Sequence, residues 1–319
     1  MEFFRSVIAP DVTESDGVKT YDLEIRPTSH LVINIKCLNN GTNTKATLAQ
    51  ILGALEKIEV LRFGASIVSI SALDLFALNC ILLHAVPWQE NVINTDDAVR
   101  CLSLIVPFGR SLYNPAECFP QTTAGELQLQ LTIDIADTGY DGYISQIEQV
   151  ELIGAKPANF MKYMTKNYTP SATGAAEVDL PRGNKYIGVL LWGTTVPATT
   201  SWTTTIDKLR LLVNNEEHYY GMCNWESLHG ELINRLGPAN AWSEKIHLEN
   251  LATAYTQSAD TAAEEQVNTG LVNHAYLDFS PQDKDDFLLD TSGLSGLKLE
   301  ITAGDTNATR ITPVELVKA

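Results

Sequence analysis

Gly125-Glu126-Leu127-Gln128-Leu129-Gln130-Leu131-Thr132-Ile133-Asp134 has a counterpart near the other end of the chain, Gly296-Leu297-Lys298-Leu299-Glu300-Ile301-Thr302. In the first copy Leu127, Leu129, Leu131 and Ile133 share one face, and Glu126, Gln128, Gln130 and Thr132 the other. In the second, Leu297, Leu299 and Ile301 alternate with Lys298, Glu300 and Thr302. Strict alternation marks a β-strand with one buried and one wet face. One such strand says little. Two of them in matching company say more.

The company recurs in order. Val150-Glu151-Leu152-Ile153 follows the first copy, and Val314-Glu315-Leu316-Val317 follows the second. Leu55–Leu61 precedes the first, and Ile206–Leu212 the second. Further upstream stand the apolar runs Leu31–Ile35 and Tyr186–Leu191. Four paired elements at offsets of roughly 150 to 170 residues make a domain-length repeat, far too long for a solenoid. The chain reads as a tandem duplication of one β-rich domain.

On that plan residues 1–20 are an N-terminal arm, 21–155 the first domain, 156–176 a linker and 177–319 the second domain. In the first domain, strands are expected at Tyr21–Arg26, Leu31–Cys37, Leu55–Phe63, Ser66–Ser71, Cys101–Phe108, the opening stretch Gly125–Asp134 and Ile144–Ile153. Turn chemistry at Asn39-Asn40-Gly41 and Gly64 separates several of them. A short helix is expected at Thr47–Ala54. A second, at Ala72–His84, has Leu73, Phe76, Ala77, Cys80, Ile81 and His84 on one face, Ser71 as its cap and Asp74 in its first turn. Ser111–Ala124 is a loop. In the linker, Phe160–Met164 is apolar enough to pack as a short helix. The second domain repeats the plan, with strands at Val178–Leu180, Tyr186–Trp192, Ile206–Val213, His218–Met222, Ala275–Ser280, Gly296–Thr302 and Pro313–Val317. The helix Glu226–Leu236 fills the slot of Ala72–His84. A long loop insertion, 237–274, sets the halves apart. Short strands, no βαβ alternation and one mid-domain helix in each half make an all-β chain of two tandem jelly-roll sandwiches, with immunoglobulin-like modules as the rival.

Composition narrows the function. The 319 residues carry 22 Lys+Arg against 39 Asp+Glu, a net charge of −17, with no basic run at either end. Sequence-independent nucleic-acid binding needs basic patches to neutralise phosphates, so direct nucleic-acid binding is not expected. Only 19% of residues are charged, which suits either a chain whose surface is partly covered by neighbouring subunits or a large domain with a favourable surface-to-volume ratio. The five cysteines, Cys37, Cys80, Cys101, Cys118 and Cys223, are scattered without a Cys-x-x-Cys, and read as buried free thiols of a protein made in a reducing cytoplasm. The start of the chain lacks the pattern of a signal peptide, so the Asn-x-Ser/Thr matches at Asn40, Asn167 and Asn307 carry no glycosylation argument. Phe3, Phe4, Arg5, Val7 and Ile8, so near an end, need a partner: the chain's own core, a neighbouring chain or a lipid surface.

This layout of two halves, a strand-rich pattern, a helix in equivalent slots, an unequal loop and a short arm resembles the double jelly-roll major capsid proteins of the tectivirus–adenovirus lineage. The resemblance spans nearly the whole chain and rests on layout; no signature residue is carried over. In size and acidity the chain is similar to the members from small lipid-containing icosahedral bacteriophages. The resemblance implies a structural coat protein, made in the host cytoplasm and resident in the virion. It also implies homotrimers, then contacts with neighbouring trimers, other virion proteins and an internal lipid membrane.

No catalytic signature competes. Gly-x-Ser-x-Gly, P-loop, dinucleotide and His-Glu-x-x-His motifs are all missing from the sequence, so no catalytic, cofactor or metal residues are assigned and no enzyme is expected. Glu226 and His229 lie three apart on one helix face and read as a surface pair, not as ligands. The alternative readings are a carbohydrate-binding or carbohydrate-active sandwich, for which Trp88, Trp192, Trp202, Trp225 and Trp242 could form a platform, and a virion spike or adhesin.

Overall fold

The computed structural model describes residues 2–40, 46–85, 87, 89–91, 96–135, 139–197, 201–235 and 271–319. Its strands are β1 (Glu2–Thr13), β2 (Gly17–Asp22), β3 (Thr28–Asn39), β4 (Leu55–Arg62), β5 (Ala65–Ile70), β6 (Gln89–Asn91), β7 (Val99–Pro107), β8 (Leu127–Ile133), β9 (Tyr140–Ile153) and β10 (Asn159–Met164). They continue as β11 (Lys166–Tyr168), β12 (Gly174–Asp179), β13 (Lys185–Gly193), β14 (Ile206–Val213), β15 (Glu216–Glu217), β16 (Cys223–Asn224), β17 (His274–Asp278), β18 (Leu289–Asp290), β19 (Leu297–Ala303) and β20 (Thr309–Lys318). The helices are α1 (Leu48–Gly53), α2 (Ala72–Leu83) and α3 (Trp225–Arg235). Two compact units divide the chain: among the described residues the first runs to Lys162 and takes in Lys318–Ala319, and the second comprises Tyr163–Arg235 and Leu271–Val317, so that β10 and the last residue of β20 lie across the division.

The first unit has one sheet ordered β1-β9-β3-β7-β6 and a second set ordered β5-β4-β8-β2. Setting β6 aside and counting strands in chain order, these are 1-8-3-6 and 5-4-7-2. The second unit has β11-β20-β13-β17 and β12-β19-β14-β15, the same order again, with β18 added to β13 and β16 to β14. Eight antiparallel strands wrapped in this order are a jelly roll, and each unit is one. β8 lies between β4 and β2, just as β19 lies between β14 and β12. The four repeats read from sequence are therefore the same four strands of the two rolls.

Burial follows the alternation. Leu127, Leu129, Leu131 and Ile133 are buried, as are Leu297, Leu299 and Ile301, while Gln128, Gln130, Thr132, Lys298 and Thr302 are half-exposed; Glu126 and Glu300, expected on the wet face, are instead buried in ion pairs with Arg62 and Arg210. In the second unit these side chains close on Tyr186, Leu191, Leu209, Trp225 and Phe279. Each roll carries a helix between its fifth and sixth strands, α2 in the first and α3 in the second. Ser71 caps α2, its Oγ accepting from the Asp74 amide at 3.1 Å, and His84 ends it in the left-handed conformation. Unlike the one-sided helix expected, α2 is buried nearly all round.

Several segments differ from expectation. The arm is not an arm: Glu2–Thr13 is an edge strand paired with β9 from Glu2↔Ile153 to Thr13↔Ile144, with irregularities around Ala9. Phe160–Met164 is strand, not helix, and the linker also holds β11 and the start of β12. The strand expected at Tyr21–Arg26 ends at Asp22. The strand expected at His218–Met222 is replaced by β15 and β16 on either side of Tyr219, which has φ of 61°. The short helix expected at Thr47–Ala54 is present as α1, closed by a reciprocal Thr47–Gln50 capping box. Most of the 237–274 insertion lies outside the described residues.

Candidate assembly surface

β1 forms the edge of its sheet, with β9 as its hydrogen-bonded neighbour. Phe3 is 61% exposed, Phe4 and Val7 are about half exposed, Arg5 is exposed and Ile8 half-buried; only Ala9 is buried. Of the five residues singled out in the sequence, all stand on this one strand. An edge strand with apolar side chains and an open row of backbone groups is a template for another chain.

Behind the strand, polar groups are matched. Arg5 pairs with Glu148 across β9. Ser6 Oγ donates to Glu151 at 3.1 Å, and Arg26 stands 3.6 Å from the same carboxylate. Burial pushes the Glu151 carboxyl up, against the Ser6 hydroxyl and Arg26, which hold it down. The Phe3 ring meets Tyr113 edge-on, with centroids 5.3 Å apart, and Tyr113 meets His30 at 5.2 Å. His30 is buried, its Nδ1 2.9 Å from Ser29 Oγ, which also accepts from the Tyr113 amide at 2.8 Å. Burial, and secondarily the Arg5 charge, lower the His30 pKa to about 4. Arg110 grips Glu117 through two nitrogens, holding the loop that presents Tyr113. That loop follows Ser111–Ala124, as expected.

Sequence reasoning missed Ile25, Phe63, Tyr113 and Ile153, which are also exposed in the first unit. One signal was available: Phe63-Gly64 joins two strands where Asn-Gly is the usual pair.

Other candidates disperse. His229 turns from Glu226 to bond the His274 carbonyl at 2.7 Å. Among the described residues no three His, Cys, Asp or Glu side chains gather as a metal site. Cys37, Cys80 and Cys118 are buried thiols, with burial raising Cys37 to about 12, while Cys101 and Cys223 are half-buried. Trp88 and Trp242 lie outside the described residues. Trp225 is buried, Trp192 stacks under Arg310 with 3.6 Å between guanidinium and ring centroid, and Trp202 is 86% exposed. The described tryptophans build no common platform.

No family model matches the chain, and no curated protein matches it in sequence. Solved structures do match in shape. The major capsid protein of the Sulfolobus turreted icosahedral virus matches at a TM-score of 0.69 and 12% identity, over 100% of this chain and 97% of that one. The major capsid protein of bacteriophage PM2 matches at 0.62 and 10%, over 100% and 98%. The PBCV-1 virus capsid matches at 0.56 and 10%, over 99% and 94%. The fold is the double jelly roll of these capsid proteins. At such low identity the likeness lies in strand order and not in side chains, consistent with a sequence in which the plan was legible and no signature residue was. In double jelly-roll terms β1 is the first strand of the first roll.

Proposed function

We propose that this chain is the major coat protein of an icosahedral virion. The observation that carries the reading is the coincidence of length and plan: double jelly-roll capsid proteins match it from end to end, with neither chain leaving a substantial part over. One chain with two similar lobes forms a near-hexagonal ring from three copies, and closed rings are the usual form of homo-oligomers. Such trimers tile a curved shell with nearly equivalent contacts. The exposed side chains of β1, Phe3, Phe4, Arg5, Val7 and Ile8, serve contacts beyond the ring, with a neighbouring trimer or an internal lipid membrane. The acidity of the chain fits a coat that meets its genome through other virion proteins or that membrane. Light scattering with negative-stain microscopy of the purified protein tests the reading. A trimer that builds closed shells is the expected result; a monomer at micromolar concentration overturns it.

A further inference from the structure

β1 is two segments joined by an irregularity. From Glu2 to Val7 it pairs residue by residue with β9, Glu2 opposite Ile153 and Val7 opposite Glu148. The register then shifts on both sides of Ala9, and Asp11 has φ of 36°, in a region that favours glycine. Pro10, between them, supplies no amide. Beyond the shift the chain is anchored. Asp11 pairs with Lys36 at 2.7 Å, the Glu14 carboxylate accepts from Ser145 Oγ, and the Glu14 amide donates to the Tyr143 carbonyl at 2.8 Å. Glu2–Val7 lies outside that anchorage, with Ala9–Asp11 as its hinge.

Beside this segment lies a ring whose surroundings suit only its neutral form. Arg5 of β1 and His30 of β3 both pair with Val150 of β9, so they share one face of the sheet with β9 between them. Tyr113 closes over the His30 ring, and Phe3 over Tyr113. Tyr113 is itself strained, with φ of 62°. Ser29 Oγ accepts from the Tyr113 amide, which leaves the hydroxyl proton for His30 Nδ1, 2.9 Å away. A proton on Nδ1 reverses that bond and takes the hydroxyl's acceptor from it. It also sets a second cation beside Arg5.

The charged groups around the ring are already matched. From β1 it faces Arg5, which Glu148 of β9 holds on the same face. Glu151 of β9 turns to the other face, toward Ser6 and Arg26. β7 brings the uncharged Pro107, and the loop brings Arg110 and Glu117, paired with each other. Each of these carboxylates has a cation, and none is left for an imidazolium. We infer that Glu2–Val7 is an acid-released strap: protonation of His30 lifts Tyr113 and Phe3 and swings the segment off β9 about Ala9–Asp11. The device belongs to the chain itself and stands with or without the coat reading. On that reading, acid withdraws the strand that serves contacts beyond the ring.

The direction follows from linkage. With the strap open the ring takes a proton near the ordinary 6.5; with it closed, burial and Arg5 hold the ring neutral down to about 4. Between those values each pH unit down favours opening about tenfold, and outside them the effect stops. Glu151 acts in the opposite sense. Burial raises its pKa, so acid favours the closed strand there.

Hydrogen exchange of the intact protein tests it, read by mass spectrometry and corrected for the intrinsic pH dependence of amide exchange. The peptide holding Glu2–Val7 is protected at neutral pH, less so than β8, because the strap opens without the rest of the roll. Its protection falls about tenfold for each pH unit from 6.5 toward 4. In His30→Gln it no longer falls. Phe3→Ser leaves the buried ring in place and opens the segment at a higher pH, which decides the matter should His30→Gln fail to fold. The inference is overturned if the segment is unprotected at neutral pH, if it loses protection only together with β8, or if His30→Gln keeps the pH dependence. A Phe3→Ser protein that exchanges like the intact one overturns it as well.

Discussion

At the scale of single residues, His30 shows how burial sets chemistry. The ring is 3% exposed, flanked by Ser29 and Tyr113 with the Arg5 charge nearby, and its pKa falls to about 4 from the ordinary 6.5. In the unfolded chain the ring takes a proton near the ordinary value; in the folded protein it resists to the lower one. Between the two, each step down in pH favours unfolding, so the stability present above about 6.5 declines toward about 4. The loss amounts to roughly 3 kcal/mol. Urea midpoints at neutral pH and near the lower value should therefore converge in His30→Gln, relative to the intact protein; an unaltered pH dependence would remove the explanation. Leu129 and Leu299, fully buried at equivalent places in the two rolls, make the harsher case. Aspartate at either leaves an unpaired carboxylate in a core, a loss of about 4 kcal/mol or more in urea unfolding.

At the scale of elements, the helix of the first roll does more than fill space. Asn79 on α2 is buried, its Nδ2 donating to the Ile105 carbonyl at 2.7 Å and its Oδ1 accepting from the Ile105 amide at 2.8 Å. β6 pairs with β7 only over Arg100–Leu102, so Asn79 takes up backbone groups of β7 beyond the reach of β6. Asn79→Ala should cost about 2 to 3 kcal/mol by denaturant titration, since a buried donor and acceptor lose their partner together. A change within a few tenths would mean water replaces the amide at no loss. This element also marks what a sequence can disclose. Strands with one wet and one dry face, such as β8 and β19, announce themselves through alternation, and their recurrence disclosed the duplication. β1, wet along most of its length, and β10, with Phe160, Met161 and Tyr163 all buried, have no such contrast between faces, so period-2 reading passes over both. The candidate surface was half legible for the same reason. Phe3 and Phe4 stand out beside a chain end, but Ile25, Phe63, Tyr113 and Ile153 are brought to one end of the roll only by the strand order.

At the scale of the whole molecule, the proposed trimer raises the question of what β1 contributes to assembly. Deleting it is a poor test, because the strand covers β9, where Gln149, Val150 and Glu151 are buried. Its loss would uncover that sheet edge and damage the first roll before assembly could be scored. Substitution separates the two roles. Phe4 and Val7 are exposed on β1, so replacing both with serine removes apolar surface and keeps the backbone pairing with Glu151 and Glu148. Exposed positions of this kind contribute little to folding, so the melting temperature should move by only a few degrees. If β1 serves contacts beyond the ring, Phe4→Ser/Val7→Ser remains a trimer by light scattering and fails to build shells under conditions where the intact protein does. A monomeric double variant would place β1 inside the trimer contact instead. Shells of ordinary size and yield would leave the apolar side chains of β1 without a part in assembly, and attention would pass to the rest of the coat surface.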